Sequence, residues 1–196
     1  KSWVAVQLLH ALAAAGHRLY VSMGCDGVAI VEVDDKGTPR QVGAGDTPGF
    51  AGNLTAAGGR IYVADGNGLR VLTDDVNPQV LGSYESFGAD RIVVEGSRAY
   101  VGSAMGDIRV LNVGNPAQPA VLGGYQVPGQ MGHLTVAGDR LYVPAGDQGL
   151  RILDIRNPAA IAELPHFATA SRAAGAAVRD GVAFIGQNQT LEAVNV

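Results

Sequence analysis

The chain has 196 residues, of which 47% are hydrophobic and 16% charged, and its formal net charge is −4. This length and composition favour one globular domain and exclude an intrinsically disordered chain. The acidic balance offers no positive field for phosphates, so we expect no nucleic-acid partner, and no apolar run reaches the roughly 18 residues of a transmembrane segment.

The N-terminal segment has two interpretations. Residues 1–16 carry a lysine, an apolar stretch and three alanines before a glycine, which imitates a signal peptide. Gln7 and His10 interrupt that stretch, and the repeat described next needs these residues as β-strands. We therefore favour the strand interpretation.

A repeat of roughly 40 residues runs through the chain. Each unit has an aromatic residue within a short apolar run, and the aromatic positions are Tyr20, Tyr62, Tyr100, Tyr142 and Phe184. A turn rich in Gly, Asp and Asn separates this run from a second apolar run. Asn-Pro pairs follow three of the second runs, at 77–78, 115–116 and 157–158. Because proline cannot donate to a sheet ladder, each pair ends a strand.

Each unit contains four short β-rich runs, and these are apolar on both faces, as expected for sheets sandwiched between other sheets. Radial stacking of such sheets gives a β-propeller. We predict an all-β, five-bladed β-propeller of four-stranded blades that forms a single domain, 1–196. The blade repeats lie near 8–46, 50–86, 89–127, 131–169 and 173–196, and residues 1–7 complete the last one.

The two ends of the chain indicate how the ring closes. Trp3 stands before Tyr20 where Tyr125 stands before Tyr142, which makes the N-terminal residues a spare fourth strand. Val196, in contrast, ends a third strand. We expect the N-terminal strand to pair with the C-terminal strand, which removes two exposed sheet edges. The alternative is a fragment of a longer array.

The motifs YVAD at 62–65, GLRVL at 68–72 and VLGSY at 80–84 resemble the LVIVD-repeat family of bacterial and archaeal propellers. The resemblance spans the chain and is clearest at 97–158. The first and fifth units depart from the pattern, with Asp35-Lys36 in place of Asn-Pro and Glu192 in place of an arginine. The resemblance implies a propeller type often found in exported or surface proteins, so we expect an extracellular, periplasmic or cell-surface location. It supplies no catalytic residue.

Positions that differ between the units are candidates for function, because structural positions should recur. Upstream of the repeat aromatics, the units carry His10-Ala11, Gly52-Asn53, Asp90-Arg91, Gly132-His133 and Ala174-Gly175. We predict that Asn53, Arg91 and His133 bind a ligand at one mouth of a central channel. The catalytic alternative uses His133 as a base with Asp90 or His10 as its partner.

A metal site is a weaker hypothesis. Met23, Cys25, Met105 and Met131 fall in loops of the same face, and sulfur ligands with imidazole suit copper. No tight ligand motif supports this site, so we predict no metal and no other cofactor. Cys25 is the only cysteine, which excludes an intrachain disulfide.

Three arginines, Arg70, Arg109 and Arg151, recur at one strand position. We expect them to bridge neighbouring blades rather than to bind an anion. Taken together, the sequence favours a non-catalytic binding or interaction module that displays variable loops to a protein, a glycan or a small ligand. The alternative is a hydrolase, lyase or isomerase that works at the channel mouth.

Overall fold

The computed structural model describes residues 10–85 and 88–196. They form five antiparallel sheets that follow one another along the chain, and the strand order within each sheet is the sequence order. Four sheets have four strands, and the fifth has three strands within the described range.

The strands have the following bounds. The first sheet contains β1 (Ala11–Ala15), β2 (Arg18–Ser22), β3 (Val28–Val33) and β4 (Pro39–Gly45). The second contains β5 (Asn53–Ala57), β6 (Arg60–Ala64), β7 (Gly68–Thr73) and β8 (Val80–Glu85). The third contains β9 (Ala89–Glu95), β10 (Arg98–Ser103), β11 (Asp107–Asn112) and β12 (Ala120–Gln126). The fourth contains β13 (Thr135–Ala137), β14 (Arg140–Pro144), β15 (Leu150–Asp154) and β16 (Ala162–Glu163). The fifth contains β17 (Ala173–Arg179), β18 (Val182–Gln187) and β19 (Leu191–Asn195).

The sheets stack through their apolar faces. Tyr20 of the first sheet is buried in one cluster with Leu54, Ile61 and Val63 of the second sheet. Tyr62, Tyr100 and Tyr142 pack on the next sheet in the same way. The first strands of the five sheets form a row in which each one contacts the next. Four clusters of the core are therefore equivalent junctions between neighbouring sheets, and a fifth buried cluster lies on the first sheet around Val21, Ala29 and Val31.

At each of the first three junctions, a glycine in the fourth strand lets the backbone of the next sheet approach closely. A Cβ at Gly43, Gly82 or Gly123 would come within 1.7, 2.3 or 1.8 Å of a carbonyl oxygen of the next sheet. Those oxygens belong to Val76, Pro116 and Pro158. The three glycines stand beside shifts in strand register, where the fourth strand bulges. Only glycine permits this close approach between backbones.

Polar side chains also join neighbouring sheets. Asp74 of the second sheet accepts hydrogen bonds from the Tyr20 hydroxyl and from the Arg18 guanidinium of the first. Tyr125 of the third sheet donates to Glu163 of the fourth at 3.1 Å.

The recurring arginines of the second apolar run have a different role from the predicted one. Arg70 lies 3.0 Å from Asp65, in the turn before β7, and 2.7 Å from Glu85 in β8. Arg151 lies 2.7 Å from Glu163 in β16. All of these partners belong to the arginine's own sheet, because carboxylates of the adjoining turn and strand are closer than the next sheet. The prediction that Arg70 and Arg151 bridge neighbouring sheets is wrong.

The predicted all-β chain of repeated antiparallel sheets is confirmed, with one turn of 3-10 helix at Pro158–Ala160. The predicted strand at residues 1–7, and its pairing with the C-terminal strand, lie outside the described residues. Within the described ranges, no helix has the length and hydropathy to cross a membrane.

Candidate ligand-binding site

A hydrogen bond joins two residues that the sequence singled out from separate repeats. The Nδ2 atom of Asn53, at the start of β5, lies 3.1 Å from Nδ1 of His133, which precedes β13. The His133 backbone is fixed by its amide, which donates to the carbonyl oxygen of Ala174 at 3.2 Å. Because an amide nitrogen only donates, Nδ1 of His133 is the acceptor, and the neutral ring carries its proton on Nε2.

Between these two residues along the row of first strands lies β9, which supplies Asp90 and Arg91. Their side chains form an ion pair at 3.2 Å, and Arg91 also donates to the Asp90 carbonyl oxygen at 3.0 Å. Two buried atoms of this pair, Asp90 Oδ1 and Arg91 Nε, have no hydrogen-bond partner in the described part of the chain. We call Asn53, Asp90, Arg91 and His133 the polar cluster.

The polar cluster controls the charge of His133. Burial lowers the pKa of His133, and the positive charge of Arg91 lowers it further, while Asp90 opposes this shift. His133 is therefore held as a neutral imidazole near neutral pH. In that state its Nε2–H is a hydrogen-bond donor for a bound molecule.

His10, the second histidine of the catalytic hypothesis, has other neighbours. Its ring packs edge-on against Phe50 with centroids 4.6 Å apart, and its backbone amide donates to the Ser22 carbonyl oxygen. In the structure Asn53 therefore contacts His133, and Asp90 contacts Arg91. His10 contacts Phe50 rather than His133.

The four sulfur-bearing candidates for a metal site lie in different environments. Met131 is buried in an apolar cluster, and Met23 packs against another. Cys25 and Met105 are exposed in the turns of two different sheets. Among the described residues, no group of three or more His, Cys, Asp or Glu side chains is arranged to hold a metal ion.

A comparison with known protein families identifies the family of this chain. A model described as the LVIVD repeat matches residues 48–84, 88–127 and 128–169, which together make up more than half of the chain. The chain belongs to the LVIVD-repeat family. Its polar cluster draws Asn53 from the first matched LVIVD repeat, Asp90 and Arg91 from the second, and His133 from the third.

Among solved structures, this LVIVD-repeat chain is similar to the crystal structure of the computationally designed Ika8 protein, with a TM-score of 0.76 and 15% sequence identity. The alignment covers 95% of the chain and 58% of the designed protein, so the chain spans little more than half of that protein's length. At this identity the likeness concerns the fold alone. A comparison with curated proteins finds no match.

Sequence comparison of the LVIVD repeats missed several residues at the same end of the sheets. Phe50, Gln130 and Arg172 share one repeat position, two residues before the start of each variable pair, and all three are exposed. Phe50 packs against His10, whereas Arg172 and Gln130 are hydrogen-bonded to each other at 2.6 Å. Their unlike side chains at one repeat position are the signal that identifies them.

Proposed function

We propose that this LVIVD-repeat protein is a non-catalytic binding module, and that its polar cluster holds a small polar ligand. One observation carries the proposal. Asp90 Oδ1 and Arg91 Nε are buried without hydrogen-bond partners in the described chain, beside the Asn53–His133 pair. Buried polar groups are normally paired, and a ligand with adjacent donor and acceptor atoms would satisfy an unpaired carboxylate oxygen and an unpaired N–H together.

The geometry supports binding over acid/base catalysis. A histidine base is usually oriented by a carboxylate, but the Nδ1 atom of His133 faces an uncharged amide. Asp90, the proposed catalytic partner, is engaged by Arg91. His10 contacts Phe50. A catalytic dyad of His133 with Asp90 or His10 would need one of those groups hydrogen-bonded to the His133 ring.

The proposal includes a closed, five-bladed propeller in which residues 1–7 supply the fourth strand of the fifth sheet. Two features support the closure. The first strands form a continuous row, and the Asn53–His133 bond crosses one intervening sheet. The outer faces of the two terminal sheets are also apolar. On the first sheet Leu12 is 59% exposed while Val21 is already buried, and on the fifth sheet Phe184 is 39% exposed. By the repeat, Phe184 would pack on Leu12, Leu19 and Val21, as Tyr20 packs on Leu54, Ile61 and Val63.

We place this module outside the cytoplasm, in an extracellular, periplasmic or cell-surface location. The support is the type of propeller that the family motifs indicate. Fractionation of the native host, followed by detection with an antibody against the chain, tests this part of the proposal. Recovery of the protein only with the cytoplasmic fraction contradicts it.

The test of the binding function is a thermal-shift screen followed by calorimetry. The panel contains amino acids, dicarboxylates, nucleosides and monosaccharides at millimolar concentration, and each hit is titrated against purified protein. We expect Asp90→Asn and His133→Gln to weaken binding roughly tenfold or more, since each alters a hydrogen-bonding group of the polar cluster. Arg156→Gln, in an exposed ion pair with Asp154, is the control and should bind as wild type does. Turnover of a hit by the wild-type protein, lost in His133→Gln, would establish the catalytic alternative.

A further inference from the structure

A second polar site is a cleft at the rim of the fourth and fifth sheets. It has a volume of about 430 Å³, within the range of about 300–1,000 Å³ that small-molecule sites occupy. Its polar lining comes from Gln130, Asp147, Gln148 and Arg172. Gln130 precedes His133 in the same connecting segment, so the cleft and the polar cluster lie at the same end of the sheets.

The backbone around this cleft is fixed. Gly146, in the turn between β14 and β15, exchanges two backbone hydrogen bonds with Ala173, at 3.2 and 3.0 Å. Gly146 has a φ of 59°, and Gly129, on the other wall, has a φ of 94°. A Cβ on Gly129 would lie 2.7 Å from the Ala145 carbonyl oxygen. Glycine at position 129 therefore keeps the wall open, and a larger residue would strain the backbone.

The hydrogen bonds within the lining decide which atoms it offers to a ligand. Arg172 donates to Gln130 Oε1 at 2.6 Å, and Arg151 donates to Gln148 Oε1 at 3.2 Å. Arginine has no acceptor, so each glutamine must turn its oxygen towards the arginine. The Nε2 groups of both glutamines are left to donate elsewhere. Arg151 is held by Glu163, which makes the Gln148 orientation part of a larger network.

The lining carries one negative and one positive charge, so it has no net charge that would favour an anion or a cation. Asp147 contributes a carboxylate, which accepts hydrogen bonds and repels anions. Arg172 contributes a guanidinium, which donates and repels cations. Together with the two amide donors, these groups provide three donor sites and one strong acceptor site in a small polar space. Hydroxyl groups fit such a set because each one both donates and accepts.

We propose that this cleft, lined by Gln130, Asp147, Gln148 and Arg172, binds a neutral saccharide unit through its hydroxyl groups. Asp147 accepts from one hydroxyl, and Arg172 and the two glutamine amides donate to the oxygens of its neighbours. The site is separate from the polar cluster. It needs none of Asn53, Asp90, Arg91 or His133, and therefore stands independently of the small-ligand site proposed for that cluster.

The experiment is a calorimetric and saturation-transfer NMR titration of the full chain. The probes are glucose, N-acetylglucosamine, cellobiose and chitobiose, compared with acetate and sulfate. We expect saturable binding of at least one saccharide at millimolar concentration and roughly tenfold weaker binding in Asp147→Asn and Arg172→Met. Gly129→Ala should also weaken binding, because it narrows the cleft. Circular dichroism and the melting temperature verify that each variant is folded.

Two controls locate the effect. Asp26→Asn changes an aspartate in the corresponding turn of the first sheet and should leave saccharide affinity unchanged. His133→Gln should also leave it unchanged, since that residue belongs to the polar cluster. The proposal is overturned by the absence of saturable saccharide binding up to about 50 mM, by binding that survives both Asp147→Asn and Arg172→Met, or by tighter binding of the anions. Loss of binding in His133→Gln alone would assign the saccharide to the polar cluster instead.

Discussion

The amide of Asn53 and the imidazole of His133 lie 3.1 Å apart, although Asn53 begins the second sheet and His133 stands just before the fourth. Stacked sheets are about 10 Å apart, so in a straight stack these two sheets would be separated by about 20 Å. The stack must therefore curve, with the starts of the first strands converging on one side. The polar cluster is a product of that curvature, because only convergence brings residues from three sheets into one site.

We predict that His133 titrates below the ordinary histidine pKa of 6.5, since burial and the nearby Arg91 charge both disfavour the imidazolium. The unfolded chain then takes up a proton before the folded chain does as pH falls. The His133 contribution to stability is thus fully present above pH 6.5 and is lost as pH falls through the lowered folded pKa. NMR titration of the ring protons measures the pKa, and urea unfolding at several pH values measures the stability.

Asn53→Asp provides the matched test for this histidine. A carboxylate at position 53 would favour the imidazolium, so the pKa of His133 should rise in the variant. Arg156→Gln, an exposed change that involves Asp154, should leave the His133 titration as it is. A His133 pKa at or above its ordinary value in the wild-type protein would show that burial and Arg91 do not control the charge of this ring.

Tyr20→Phe should destabilise the protein by about 1–2 kcal/mol, because it removes a buried hydroxyl that donates to Asp74 of the next sheet. Tyr62→Phe is the control, since Tyr62 is equally buried and its hydroxyl has no hydrogen bond to another described residue. Burial and the Asp74 carboxylate raise the pKa of Tyr20 to about 12. The contribution of Tyr20 to the free energy of unfolding is therefore fully present below the ordinary tyrosine pKa of 10 and is lost as pH rises towards 12. Urea unfolding gives the energies, and tyrosinate absorbance gives the pKa. Equal costs for the two variants would show that the Asp74 contact is unimportant.

The sequence was sufficient to predict the repeat and most of its packing. Tyr20, Tyr62, Tyr100 and Tyr142 were found by spacing alone, and all four are buried at equivalent junctions. Spacing predicts burial at these positions because each sheet contacts the next in the same register. The fifth aromatic, Phe184, is partly exposed, and only the structure distinguishes it from the other four.

The side-chain partners were much harder to predict. The recurrence of Arg70 and Arg151 indicates a structural role, but it does not say which carboxylate lies within reach. The sequence does not reveal why glycine is required in the fourth strands, as at Gly82. Glycine is required there because a carbonyl oxygen of the next sheet occupies the space that a Cβ would fill. The spacing of residues within one repeat does not predict contacts that depend on how two sheets are placed relative to each other.

Arg70→Met should be among the most destabilising single changes in the second sheet. Asp65 is fully buried and its side chain lies 3.0 Å from Arg70, itself nearly inaccessible. Burial raises the pKa of Asp65 despite this ion pair, which indicates how strongly the site disfavours an unpaired carboxylate. Removing Arg70 leaves that charge uncompensated, at an expected cost of about 3–5 kcal/mol.

The control for this ion pair is Arg156→Met, which breaks an exposed pair with Asp154 and should cost less than about 1 kcal/mol. The double variant Asp65→Leu with Arg70→Met should recover part of the lost stability, since it removes both buried charges together. Chemical denaturation of the four proteins gives the comparison. A small cost for Arg70→Met, similar to that of the control, would mean that water reaches Asp65.

The faces of the terminal sheets provide the test of ring closure. If Phe184 packs on Leu12, Leu19 and Val21, then Phe184→Ala should cost about 3 kcal/mol or more, as expected for a buried aromatic residue. Deletion of residues 1–7 should also destabilise the protein or cause aggregation, because it removes the proposed fourth strand of the fifth sheet. Val80→Ala, at an exposed apolar residue in the fourth strand of the second sheet, is the control and should have a small effect.

Analytical ultracentrifugation distinguishes closure within one chain from contact between chains. If the ring closes within one chain, the stability of the protein falls in Phe184→Ala without any change in its mass. If the two apolar faces meet between copies instead, the wild-type protein is oligomeric and Phe184→Asp dissociates it. A monomer whose stability is unaffected by Phe184→Ala and by the deletion would rule out the five-bladed ring.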